Sequence, residues 1–217
     1  MADTARPAFD LTPFERWEAV TLRGEHVGFL FRRLAEGVLT SRMGFAPTAV
    51  QRAATPDLPD RFFAQSQVAF TDDGATWVWT SYEDSATEQR VRIERERAGL
   101  GEDVVPSYAE HLLMGPAAEA ALTFVRLEEA SPLQGPVRMP EATLRPAGGD
   151  AGAGAEGGVR VDVVSEGVVI GSHHVREGAV TASDWGGGTA SAPVAGRDEA
   201  LAGLGAQLVT FAGLPVE

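Results

Sequence analysis

Hydrophobic and polar residues alternate along much of this chain, in short runs broken by glycine. From Trp17 to Thr40 the sequence reads WEAVTLRGEHVGFLFRRLAEGVLT. Val20 and Leu22 alternate with polar neighbours, and Gly24 and Glu25 make a turn. Val27 to Leu34 is a second strand, and Ala35-Glu36-Gly37 turns into a third. Period-two alternation puts every second side chain on one face, as in a half-buried strand. The design returns at Val163 to Thr181, VVSEGVVIGSHHVREGAVT. In both copies a turn glycine (Gly24, Gly167) is followed by another inside the next strand (Gly28, Gly171), with an aliphatic residue before it (Val27, Ile170). In both, a Glu-Gly pair (Glu36-Gly37, Glu177-Gly178) opens the third strand. Two similar three-stranded units are therefore expected to close one curved wall.

The rest of the pattern fills in around them. Residues 1–13, with Pro7 and Pro13, read as a flexible N-terminal arm whose Phe9 and Leu11 tuck against the core. Residues 14–217 read as a single β-rich domain. Pro47 to Asp60 reads as a long surface connection. Phe62 to Phe70, a Thr71-Asp72-Asp73-Gly74 turn and Thr76 to Glu83 form the clearest hairpin, since Asp-Gly between alternating runs is a strong hairpin signal. Alternation places Trp77 and Trp79 on one face of its return strand, and Val78, Thr80 and Tyr82 on the other. Ser85-x-x-Glu88 fits a helix capping box. However, Val91 and Ile93 stand two apart without a helical stripe, so Ser85 to Leu100 is read as strand, with Arg92, Glu94 and Glu96 exposed.

The best helix is Pro106 to Met114, with Tyr108, Leu112 and Leu113 on its apolar side and Gly115-Pro116 as its stop. Leu122 to Glu129 resumes as strand. Val137 to Arg145 is demoted toward an edge by Pro140. The Gly/Ala-rich stretch 147–158 reads as a flexible loop within the domain. Gly158 to Ser165, Val168 to Val175, Ala179 to Trp185 and Thr189 to Val194 follow as strands. Asp198 to Gly203 is a helical turn and Gln207 to Ala212 a last strand. The fold class is thus mainly β: a single antiparallel curled sheet, an open or half barrel of about ten to twelve strands. One principal short helix packs at or in its mouth.

Composition narrows the chemistry. The 217 residues are 44% hydrophobic, enough for a sizeable core. Cysteine is absent, which removes disulfides, thiolate nucleophiles and Cys-ligated metals. Every basic residue is arginine, so Schiff-base and phosphate-loop lysine chemistry is excluded. No cofactor is implied. A net charge of -13 repels a phosphate backbone. The one dense basic run, Arg90 to Arg97, interleaves glutamates and reads as a self-paired solvated face, so no nucleic-acid partner is expected. No apolar run approaches a membrane span, and the opening residues carry charges in place of an apolar signal core, so a cytoplasmic protein is expected.

Candidate catalytic groups are sparse. His173 and His174 are adjacent in a strand and face opposite ways, which argues against a shared metal. His111 and Tyr108 share a helix face, a placement that suits either a structural histidine or a general base beside a phenol. Ser172, His173, Ser183 and Asp184 come near one another in the late meander, but neighbours on consecutive strands rarely build a triad. Aromatic residues are the more informative set: inward-facing rings in a curled sheet either fill it or line a pocket. Trp77, Trp79, Tyr108, His111 and Leu112 are the candidate ligand-binding residues.

The opening W-x-x-V-x-L-x-G-x-x-V-G-F, Trp17 to Phe29, resembles the first hairpin of uncharacterised bacterial half-barrel domains akin to lipoprotein-carrier-like folds. That resemblance implies a curved sheet cradling a helix and an acyl chain. The leading expectation is non-catalytic binding of an apolar small molecule, lipid-like group or protein partner. A hydrolase-like enzyme using His111 in a cleft is one alternative. A structural or interaction domain with a filled interior is another.

Overall fold

The computed structural model describes residues 7–54, 60–85, 88, 90–130, 137–147 and 158–215. The N-terminal half supplies β1 (Phe14–Leu22), β2 (Glu25–Ala35), β3 (Val38–Phe45), α1 (Ala49–Ala54), β4 (Phe62–Phe70), β5 (Trp77–Asp84) and β6 (Arg90–Glu94). Then come β7 (Val104–Pro106), a 3-10 helix (Ser107–Leu113), α2 (Met114–Glu119), β8 (Leu122–Leu127) and β9 (Glu141–Pro146). The chain continues with β10 (Val159–Ser165), β11 (Val168–Arg176), β12 (Ala179–Asp184), β13 (Thr189–Pro193), α3 (Arg197–Leu201) and α4 (Ala206–Ala212). All thirteen strands join one sheet, ordered β6-β5-β4-β3-β2-β1-β13-β12-β11-β10-β9-β8-β7.

The echo in the sequence is an echo in the sheet. The first meander lies as β3-β2-β1 and the second as β12-β11-β10, with β13 between them. Each begins with a two-residue turn in the left-handed region: Arg23-Gly24 (φ 53° and 82°) and Glu166-Gly167 (φ 51° and 80°). Such turns match the twist of the flanking strands. The first turn sits one residue earlier than expected, because Leu22 pairs directly with Glu25. Each hairpin then carries a register shift at the same place, just after Val20 faces Gly28 and after Val163 faces Gly171.

The ladder does not close into a barrel. β6 and β7 are its two ends, and side chains reach across the gap between them. Trp77 donates its indole N–H to the Val104 carbonyl at 2.8 Å. Thr80 Oγ1 donates to Glu129 Oε1 at 2.9 Å, and the other Glu129 oxygen accepts from Ser107 N (2.9 Å) and Oγ (2.7 Å).

Several expectations need correction. The sheet is mixed, because β7 pairs with β8 in parallel. A parallel pair needs a crossover connection, and the 3-10 helix with α2 supplies it. The expected Pro106–Met114 helix is 3-10 in its first part and continues as α2 through Gly115-Pro116. Proline fits there because it stands in the first turn of α2, where its missing N–H costs nothing. The connection after Pro47 holds α1. Gln207 to Ala212 is helix, not strand: Leu208 and Ala212, four apart, are its buried residues. Helices therefore number more than the one principal helix expected. The expected loop at 147–158 falls almost wholly outside the described residues. Of the N-terminal arm, Phe9 is buried, stacks on Phe70 at 4.7 Å between ring centroids, and bonds Gly74 through its backbone.

The interior has two unlike ends. Near the β2–β3 turn it is filled: Leu34, Leu39, Val68, Phe70 and Trp77 pack with Leu113, Met114 and Ala117 of the helical segment and with Leu144, Val161 and Val175 from the far wall. Near the β1–β2 turn, Val20, Leu22, Val27 and Leu30 form a separate apolar group. On the outer face of β1 and β2, Trp17, Phe29 and Phe31 are covered by Ala200, Leu201, Leu208 and Ala212 of α3 and α4.

Candidate functional site

The second end is hollow. A cavity of about 390 Å³ opens between β1–β3 and the helical segment, within the range of about 300–1,000 Å³ usual for small-molecule pockets. Its apolar wall is Val20, Leu22, Val27, Leu30, Met43 and Phe45. Strand alternation builds this wall: Val20 faces Gly28, and Leu30 faces Met43. Gly28 leaves room for the sheet to bend, since a Cβ there would lie 2.2 Å from the Gly44 carbonyl oxygen.

Going deeper along the same strands, the inward residues turn polar. On β1 they are Glu18 and Arg16, and on β2 Arg32, which faces Arg16 across the ladder. Glu18 is fully buried and binds both guanidiniums: Arg16 Nε at 3.0 Å and Arg32 Nη1. Its second oxygen accepts from Ser191 Oγ at 2.6 Å, which in turn accepts the Trp185 indole N–H at 3.1 Å. Burial works to raise the Glu18 pKa, but Arg32, Arg16 and Ser191 together outweigh it and hold the carboxyl below its ordinary value.

Arg32, Glu110, His111, Arg126, His173 and Trp185 face the cavity from four elements and the turn after β12. Arg126 pairs with Glu110 at 2.6 Å. Burial nevertheless prevails over Arg126 and pushes the Glu110 carboxyl up to about 7. His173 shares a 2.9 Å hydrogen bond with Ser183 through Nδ1 and meets the Trp185 ring edge-on at 5.1 Å between centroids. Burial, reinforced by Arg32, lowers the His173 pKa to about 4. Burial together with Arg32, Arg16 and His173 drives His111 well below the ordinary histidine value. Both imidazoles are therefore neutral near pH 7. His111 Nδ1 and Arg16 Nη2 are buried without a hydrogen-bond partner among the described residues.

His111 also lines a second, more open groove, with Phe14, Arg16, Leu112, Gly115 and Val180. That groove follows from the shortness of β13. It pairs with β1 only over Glu18–Leu22 and with β12 only at Ser183 and Asp184. Beyond Val194 the two meanders part, and the groove enters between them.

Of the residues singled out from sequence, Tyr108 and His111 face the cavity. Leu112 is buried in the packed end and edges the open groove. Trp77 is fully buried in the packed end. Trp79 lies on the other face, with the Arg92 guanidinium 4.3 Å from its ring centroid. The two tryptophans part company because a bulge leaves Val78 without a partner: Phe70 pairs with Trp77 and Ala69 with Trp79. The extra residue reverses the alternation. Sequence reasoning missed Arg16, Glu18, Arg32, Glu110 and Arg126. The signal that could have found one of them is strand alternation: the adjacent Arg32 and Arg33 of β2 point to opposite faces, so one of them faces inward.

The near-triad of the late meander resolves into a Ser183–His173 pair. Asp184 is exposed and instead bonds the Gly186 backbone N–H at 2.8 Å. Among the described residues, no three His, Asp or Glu side chains are grouped to hold a metal ion, and no helix is long and apolar enough to cross a membrane. No protein-family model, curated protein or solved structure matches this chain.

Proposed function

We propose that this protein is a non-catalytic binding protein that holds an apolar small molecule or lipid-like group inside its curled sheet. The observation that carries the reading is the hollow end of the interior: six apolar side chains from β1–β3 surround open space while the other end is tightly packed. An apolar wall around a few convergent polar groups is the usual build of a ligand pocket. The resemblance of Trp17 to Phe29 to uncharacterised half-barrel domains akin to lipoprotein-carrier-like folds supports the same reading. A cytoplasmic location belongs to the same proposal.

The test is a titration of the full chain with the neutral fluorophore N-phenyl-1-naphthylamine, whose emission rises in apolar surroundings. Saturable binding is expected, with loss in Leu30→Trp, which places an indole in the cavity. A thermal melt of the variant checks that it remains folded. A folded Leu30→Trp protein that binds as the wild type does, or a wild type that binds nothing, would refute the proposal.

A further inference from the structure

We infer that the ligand carries a single carboxylate, seated against Arg16, Arg32 and His111, with its hydrocarbon part along Val20, Leu22, Leu30 and Met43. This rests on the binding function proposed above and adds the chemical class.

Charge points to an anion. Where the cavity turns polar, Arg32 lines it and Arg16 lines the adjoining open groove; the two face each other across the β1–β2 ladder and share one carboxylate, Glu18. Guanidiniums stay charged in proteins, so this cluster holds two positive charges against one negative. The nearby Arg126 leaves the balance unchanged while burial keeps Glu110, 2.6 Å away, protonated, because Glu128 at 3.4 Å then matches it one for one. The two imidazoles facing the same space add no charge when neutral. A surplus of one positive charge remains, with Arg32 only 6% exposed. A buried charge without a counter-ion is costly, and a bound monoanion would remove that cost.

Hydrogen bonding points to the same group. Apart from Arg126 Nε, which meets Glu110 Oε1 as an ion pair, two buried nitrogens here, Arg16 Nη2 and His111 Nδ1, have no hydrogen-bond partner among the described residues. Arg16 Nη2 can only donate, and His111 Nδ1 donates in the tautomer that carries its proton there. A carboxylate offers two acceptor oxygens and one negative charge, which matches two unpaired donors and one surplus charge. A hydroxyl or an amide would satisfy the donors but leave the charge. An ammonium would meet two guanidiniums. The apolar wall above the cluster then takes the tail, so the ligand is a linear or compact hydrophobic acid.

The test is calorimetric titration of the full chain with decanoate, decanol, decylamine and decyl phosphate in buffer at about pH 6, where Glu110 is mostly protonated. Decanoate is expected to bind about tenfold or more tightly than decanol, the usual margin for one charge-assisted hydrogen bond, and decylamine not at all. In Arg16→Gln the decanoate-to-decanol ratio is expected to fall toward one. Decanol binding as tightly as decanoate, or decyl phosphate binding more tightly, would overturn the carboxylate inference and leave the binding function standing. Failure of all four ligands would overturn both. Carbon-13 NMR of carboxyl-labelled decanoate on wild-type protein needs no variant. The bound carboxyl is expected to stay ionised below the pH at which the free acid protonates, and a bound signal that titrates like the free acid would also overturn the inference.

Discussion

Trp77 donates its indole N–H to the carbonyl oxygen of Val104, 2.8 Å away, and so ties together two stretches of one sheet that share no backbone ladder. The indole is fully buried, so it acts as both packing and fastener. Trp77→Phe keeps most of the packing and leaves the Val104 oxygen unpaired. It is expected to lower stability by about 1–3 kcal/mol, read as a lower urea midpoint. Trp77→Ala adds a cavity and should cost about 3–5 kcal/mol.

Gly28 and Gly171 occupy equivalent places in the two meanders, yet they should tolerate alanine differently. A Cβ on Gly28 would meet the Gly44 oxygen at 2.2 Å and Phe45 Cβ at 2.6 Å, neither of which can swing away. On Gly171 it would meet only the Asp184 oxygen, at 3.2 Å. Gly28→Ala is expected to destabilise by about 3 kcal/mol or more, as overpacking does, and Gly171→Ala by about 1 kcal/mol or less. Thermal melts of the two single variants would show this order, and equal losses would contradict it.

The Glu110 carboxyl is held up at about 7 in the folded chain, chiefly by burial. A raised acid contributes stability that is fully present below its unfolded pKa and is lost as pH rises through the folded value. For Glu110 that window runs from about 4.5 to about 7, and the loss is on the order of 3 kcal/mol. The neutral His173 works in the opposite direction, since its stabilising effect grows from about 4 to 6.5. The wild-type profile therefore mixes both. Glu110→Gln isolates one of them: its stability relative to wild type should climb across the Glu110 window, and denaturant midpoints at a series of pH values would reveal that climb.

Arg42 ties α4 to the sheet. Its guanidinium donates to the carbonyl oxygens of Leu214 at 2.7 Å and Pro215 at 3.1 Å, and to the Gln65 side chain. Arg42→Ala is expected to speed hydrogen exchange over Ala206–Ala212 well before it affects β8–β11, because the bonds lost are local to that helix. Uniform acceleration along the chain would argue against a local fastening.

Much of this sheet could be read from residues alone. Turn glycines between alternating runs locate the hairpins, since glycine accepts the left-handed backbone those turns require. The repeat carried down to the bulge, since both hairpins shift register just after the pair that contains the strand glycine, although only Gly28 stands against closely approaching backbone. Where the reading failed, the missing information was not local. One residue without a partner in the β4–β5 ladder, Val78, turned Trp79 to the opposite face, and nothing in WVWT marks it. Gln207 to Ala212 has a short apolar run that fits either period, and only the covered face of β1 and β2 decides for helix. The polar end of the cavity draws Arg16, Arg32, Glu110, Arg126 and His173 from distant segments. Each is an ordinary inward position in its own strand or turn, and only the curl of the sheet brings them together.

The cover over Trp17, Phe29 and Phe31 comes from residues near position 200, so the ribosome releases these rings long before their shelter exists. During that interval the first hairpin shows an aromatic stripe outward and an incomplete cavity wall inward. Neither face can be dry until β13 docks beside β1 and the helices after it fold down. Synthesis thus leaves a sticky nascent ribbon, a natural substrate for holdase chaperones. Substitutions that loosen α3 or α4 should therefore lower soluble yield in the cell more than they lower the melting temperature of whatever protein survives.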